Sequence, residues 1–152
     1  MRVVIEIDPD KDEEIRIRAK EMTPAIRSVS ERLGNLLSGE PEITVRDGER
    51  ERFLPPREIL YAETAEGRVY VHTAHKVFSV SLRLYELEEL LPRYFVRAGK
   101  SVIVNAMHIT SLWHTPTGLG EAEFRNSDKK VYISRQYYKP VRDLIEEMRL
   151  KR

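Results

Sequence analysis

The chain has 152 residues, no cysteine, 34% charged and 41% hydrophobic residues, the composition of an ordinary globular protein of one or two small domains, which excludes collagen-like, mucin-like and disulfide-scaffold chains. Without cysteine, thiolate nucleophiles and cysteine-based zinc sites are excluded as well; the start meets the acidic cluster at Asp8 too soon for a secretory signal, and no apolar run approaches the ~18 residues that span a bilayer, so the expectation is a cytoplasmic protein without membrane insertion. A net charge of +1, from 26 Lys and Arg against 25 Asp and Glu, favours by itself neither a nucleic-acid nor an acidic partner.

Residues 3–7 alternate like a short strand closed by Asp8-Pro9-Asp10, and residues 15–18 repeat the alternation. Thr23 and Pro24 supply an N-cap oxygen and a first-turn residue that needs no backbone N–H. Ile26, Val29, Leu33, Leu36 and Leu37 follow at helical spacing, with a stop near Ser38-Gly39. The pattern predicts a small β-β-α unit over 1–40. Its apolar stripe must be buried, either on the protein's own second domain or in a homodimer through this helix. Glu40-Pro41 marks the boundary to a domain over 41–152.

That second domain reads mostly as β. Residues 42–46 and 49–54 flank Asp47-Gly48, a dipeptide suited to a tight hairpin. Runs at 59–64, 68–73 and 76–81 follow with connections of a few residues, so antiparallel pairing is expected, with Val69, Val71, Val77 and Val80 marking buried positions. Leu84, Leu87, Leu90 and Leu91 change the period to that of a helix, which Pro92 ends. Further extended runs fall at 94–97, 102–105, 109–114, 118–124 and 131–134. In the tail, Tyr137, Val141, Leu144, Ile145 and Met148 are spaced as a helix; because proline disrupts a helix interior, the spacing predicts an irregular turn over 135–139 and a regular helix from Pro140.

Few residues point to catalysis. His72, His75, His108 and His114 show no metal-ligand spacing, there is no glycine-rich phosphate loop among seven glycines, and Glu88-Glu89 and Glu146-Glu147 read as solvated helix faces. No enzymatic activity, cofactor, metal or small-molecule ligand is expected. The basic residues are distributed more informatively. Between Arg93 and Arg142 lie nine Lys and Arg against Glu121, Glu123 and Asp128, a local charge of +6, which attracts a polyanion within a screening length whatever the global charge. Several of these cations fall in connections, at Arg97-Ala98-Gly99-Lys100-Ser101 and Ser134-Arg135-Gln136. Isolated surface charges usually do little, but two cationic loops on rigid strands can grip the periodic negative surface of a duplex.

The same segments carry a resemblance. Ile59-Leu60-Tyr61-Ala62-Glu63, Leu87-Glu88-Glu89-Leu90-Leu91, Phe95-Val96-Arg97, Lys100-Ser101-Val102-Ile103-Val104-Asn105, His108-Ile109 and Val131-Tyr132-Ile133-Ser134-Arg135 with Tyr138 form an ordered, spaced set over 43–150. This set resembles the LytTR-type DNA-binding domain of bacterial response regulators. The resemblance implies a mainly β fold, an elongated β-sandwich of antiparallel strands with short helices, here preceded by the β-β-α unit. Residues 1–40 look unlike a phosphoacceptor receiver domain and like the short leader of stand-alone family members.

The resemblance further implies a sequence-specific transcriptional regulator of double-stranded DNA that reads repeated elements in successive major grooves through loop side chains. Base contacts carry over to Arg135, Lys100 and Arg68. Apart from the resemblance, Arg97, Lys129, Lys130 and Lys139 read as phosphate contacts, which position a domain without reading sequence. An Arg fork suits guanine O6 and N7, whereas Lys is a less directional donor. Asn105 reads equally as a turn-forming residue, and Trp113 as a core residue or a partner surface. The rival reading is a protein-interaction or signalling module whose LytTR-like β domain does not bind DNA.

Overall fold

Thr23 starts the first helix, α1 (Pro24–Ser38), by accepting a hydrogen bond from Ile26 N at 3.2 Å, and Gly39 ends it in the left-handed region at φ 67°. The computed structural model describes residues 2–150, and the chain divides into two units between Gly39 and Glu40. In the first unit α1 forms where the periodicity puts it, but the described residues before it form no strand. The expected β-β-α unit is therefore an irregular chain followed by one helix. A lone two-stranded ribbon is marginal in water, and the connection here sets Asp8, Asp10, Asp12, Glu13 and Glu14 against the single Lys11. Charge repulsion thus opposes the turn that would pair the two runs.

The second unit holds ten antiparallel strands: β1 (Ile43–Asp47), β2 (Arg50–Leu54), β3 (Tyr61–Ala65), β4 (Arg68–His72), β5 (Val77–Val80), β6 (Phe95–Gly99), β7 (Val102–Asn105), β8 (Ile109–His114), β9 (Gly120–Phe124) and β10 (Lys130–Ile133). Helix α2 (Leu84–Leu90) lies between β5 and β6, and α3 (Arg135–Leu150) follows β10. Seven strands form one sheet, in the order β2-β1-β5-β4-β3-β7-β6, and three form a second, β10-β9-β8. Mainly β with few helices is the architecture the sequence implied.

The two faces of the large sheet bury different residues because side chains alternate along a strand. Ala62, Val69, Val71, Phe78 and Ile103 point into one core with Leu84, Leu87 and Leu91 of the α2 region. Tyr61 and Val104, one residue out of phase, join Ala98, Ala122, Phe124, Val131, Ile133 and Val141 in the other. This double burial explains why the central strands lack a clean apolar-polar alternation. In β5 the alternation runs through Phe78 and Val80, so Val77, expected inside, is 49% exposed.

The final helix also departs from expectation, since it begins at Arg135 and carries Pro140 within it. At this position proline forfeits one bond, to the carbonyl of Gln136, and both residues are exposed, leaving water to satisfy that carbonyl. Val141 is buried and Ile145 packs beside it in the second core, which more than offsets the lost bond.

Candidate nucleic-acid interface

Three connections are gathered at one end of the second unit: the β3–β4 turn, the β6–β7 turn and the junction at which α3 begins with Arg135. Between β3 and β4, Glu66 and Gly67 both take positive φ, 53° and 77°, the two-residue hairpin geometry that matches strand twist, and Arg68 leads β4 from it. Thr64 N donates to Ser101 O at 2.9 Å, tying this hairpin to the β6–β7 turn at Lys100-Ser101. Ser134 N in turn donates to Ala98 O at 2.9 Å. A Cβ on Gly99 would lie 3.2 Å from Ser134 Oγ, so a side chain there would push the two segments apart. The backbone therefore brings Arg68, Lys100 and Arg135 to the same end, although they are separated by dozens of residues in the chain.

Their electrostatic settings suit an anionic partner. Arg68 and Lys100 are exposed, and neither side chain makes an ion pair or a hydrogen bond to another described residue. Arg135 is exposed and donates from Nη2 to Thr117 O at 2.8 Å. Gly118, at φ 87°, makes room for this contact: a Cβ there would come 3.1 Å from Arg135 Nε. One donor thus anchors the guanidinium to the β8–β9 loop while the rest of its five N–H groups remain available. The loop itself is held by His114, stacked on Tyr138 at 3.8 Å between ring centroids. Gly120 lies so close under Tyr138 that a Cβ would overlap its ring. Sequence reasoning missed Gly118 and Gly120 as parts of the site; two glycines flanking Leu119 just after Pro116-Thr117 were the available signal.

The remaining cations are placed less uniformly. Arg97 pairs with Glu88 at 3.0 Å and donates from Nη1 to Lys100 O at 2.7 Å, so it shapes the β6–β7 turn. Lys139 is exposed on α3 without an ion pair to a described residue. Lys130 projects from the outer face of the small sheet and pairs with Glu121 at 3.3 Å.

Lys129 lies at the far end of β10 from Arg135. Its Nζ donates to Thr73 O at 3.1 Å and Lys76 O at 3.3 Å and lies 3.3 Å from His72 Nδ1. His72 Nε2 is 2.9 Å from Glu63 Oε1, and its ring stacks on Tyr61 at 4.1 Å. Burial lowers the pKa of His72, with its hydrogen bond to Glu63 acting against the shift and Lys129 adding to it. Burial lowers the Lys129 pKa as well, and the Tyr61 hydroxyl is pushed up to about 12 by burial and by Glu63.

Asn105 is fully buried: its Nδ2 donates to Ile59 O and its Oδ1 accepts from Met107 N, each at 2.9 Å. It holds two connections together and has no face toward a ligand. Trp113 is 47% exposed on β8, so it is not a core residue.

The second unit is thus a scaffold of antiparallel strands that carries exposed cations on the connections at one end. Residues 49–146 match the model of the LytTr DNA-binding domain, and the chain belongs to that family. It is 29% identical over 129 residues to an uncharacterized HTH-type transcriptional regulator of Staphylococcus aureus strain NCTC 8325, covering 85% of this chain and 86% of the relative. The counterpart in strain MRSA252 is 28% identical over the same length. Among solved structures, the LytTr DNA-binding domain of a Bacillus cereus protein superposes with a TM-score of 0.64 at 25% identity, covering 70% of this chain and 98% of that one. Among the described residues no helix is long and apolar enough to cross a membrane.

Proposed function

We propose that this protein is a non-enzymatic bacterial transcriptional regulator that acts in the cytoplasm and binds double-stranded DNA sequence-specifically through the three connections bearing Arg68, Lys100 and Arg135. The observation that carries this reading is the convergence of the three connections through the Thr64–Ser101 and Ser134–Ala98 backbone bonds. Helix-turn-helix readers need two helices joined by a short turn. Here strands separate each of the α-helices among the described residues, so base reading falls to loops entering the major groove. Arg135 reads a base through its fork, with Lys100 and Arg68 as less directional contacts. Lys139, Lys130 and Arg97 contact phosphates, which position the domain without reading sequence. Lys129 is supported least, because its amine is occupied at the other end of β10.

The apolar stripe of α1 has no strand among the described residues of its own unit to cover it, and it is proposed to pair two copies into a homodimer. Selection of bound sequences from a random duplex library tests the whole reading. An enriched, repeated element is the expected result, whereas retention of duplexes without any sequence preference leaves only a non-specific polyanion binder. Failure to retain duplex at low salt favours the protein-interaction module instead.

A further inference from the structure

β4 and β7 each run from a cationic turn to the opposite end of the second unit, about 15 Å away for a five-residue strand, and β10 runs from that end back to Arg135. At the opposite end a cavity of about 460 Å³ opens, within the range of small-molecule sites. Leu54, Leu60 and Phe78 supply a buried apolar floor, with Ala74 at its edge. The rim carries Arg52, Arg57, Lys76 and Arg125 against one carboxylate, Glu58.

Two of the four cations are engaged within the protein. Arg57 pairs with Glu40 at 3.7 Å, and Arg52 pairs with Asp47 at 3.9 Å while its guanidinium lies 5.3 Å over the Phe78 ring. The side chains of Lys76 and Arg125 make no ion pair or hydrogen bond with another described residue. The walls are built independently of any ligand. Lys129 Nζ closes the β4–β5 turn through Thr73 O and Lys76 O, Arg125 N donates to His108 O at 2.9 Å, and the His108 ring bonds to Arg57 O.

We propose that this cavity is a binding site for a small amphipathic carboxylate, its apolar body on Leu54, Leu60 and Phe78 and its carboxylate between Lys76 and Arg125. A cationic ligand would meet four like charges at the rim. A neutral one would leave two cations partly desolvated and uncompensated. A bare anion such as phosphate would leave the apolar floor wet, and a duplex cannot enter so small a concavity. The lining comes from β2, the β2–β3 connection, the β4–β5 turn, β5, the β7–β8 connection and the β9–β10 turn. No single stretch of sequence carries a signal for it.

Octanoate, octanol, octylammonium and acetate, each titrated into the full chain by calorimetry with amide chemical shifts as a second readout, test the proposal. Octanoate is expected to bind saturably at one per chain and to move the Ala74 and Phe78 amides. Octanol should bind about tenfold more weakly, because it lacks the charge-assisted contacts. Octylammonium and acetate should not saturate. The exposed double variant Lys76→Ala/Arg125→Ala should keep its melting temperature and reduce octanoate to the octanol level, and Ala74→Phe should block octanoate by filling the cavity edge. Octylammonium binding as tightly as octanoate, undiminished octanoate binding by the double variant, or no saturable octanoate binding would each overturn the proposal. None of these outcomes depends on whether the protein binds DNA.

Discussion

Replacing Arg135 by alanine separates base reading from general attraction to the duplex. The guanidinium spends one N–H on Thr117 O at 2.8 Å, and a guanine needs two of the remaining donors in parallel. Loss of such a pair costs roughly 1 to 3 kcal/mol, which is about a 5- to 150-fold loss for the selected duplex. The loss should disappear at the one position Arg135 reads: the variant binds the correct base and its substitutes alike there. Arg135→Lys keeps the charge but not the fork, so it should share the relaxed preference while retaining more of the non-specific affinity. Lys139→Ala should instead weaken all duplexes alike and lower the slope of log K against log salt by about 0.9. Fluorescence anisotropy on the selected duplex and its single-base variants, across a salt series, measures both. Arg135 is exposed, so an unchanged melting temperature is the control. If Arg135→Ala weakened every duplex equally and left the base profile intact, the side chain would be a phosphate contact and the loop assignment would be wrong.

Gly118→Ala should cost about 1 to 3 kcal/mol for a side chain at φ 87° and, by crowding the guanidinium, should reproduce the relaxed base preference of Arg135→Ala in the same anisotropy assay. Asn105→Ala should leave Ile59 O and Met107 N without their partner; at about 1 to 3 kcal/mol for each buried group, denaturant titration should show one of the largest losses of any single polar substitution in this domain. His72 has its pKa lowered in the folded protein, so the unfolded chain binds the proton more tightly and stability falls as pH drops below the unfolded value of about 6.5. Thermal melts from pH 7.5 to 5.5 should slope less for His72→Asn than for the wild type; parallel curves would mean that the network does not hold the imidazole neutral. Light scattering of the full chain should give a dimer that Leu33→Glu dissociates, and operator elements moved apart by about 5 bp should lose the cooperative gain that about 10 bp restores. A monomer at working concentrations removes the proposed pairing.

The strands and α2 were legible because turn chemistry and period agree there: Gly48 at φ 64° turns the first hairpin, and Leu84 and Leu87 are buried where the helical spacing puts them. Residues 3–18 misled because alternation records which side a residue would face if a partner strand existed, and it says nothing of whether one does. Pro140 misled in the other direction: the local rule is correct about the lost bond but has no knowledge of the core that Val141 enters. Lys100 stood out as a cation in a break between two strands, and Arg135 as one in the break between a strand and the final helix. What sequence could not show is the contact that orients the Arg135 fork, because Thr117 and Gly118 lie on a separate hairpin and are joined to it only by folding.

Lys129 and Lys130 show the same limit within a single dipeptide. As adjacent residues in a turn ahead of a β run they both read as phosphate contacts. Successive side chains of an extended chain point to opposite faces, so the two amines cannot serve one surface. Lys130 projects outward and meets Glu121 across the sheet, its side chain still 55% exposed. Lys129 turns to the other face, where Thr73 O, Lys76 O and His72 take up its donors and burial lowers its pKa. An ammonium that has exchanged water for three protein partners gains little from a phosphate, since those bonds must break before new ones form. Its contribution is to fix the β4–β5 turn. A basic pair in a β run therefore counts as one surface charge until the second is shown to face the same way, and that parity argument needs only the register of the strand.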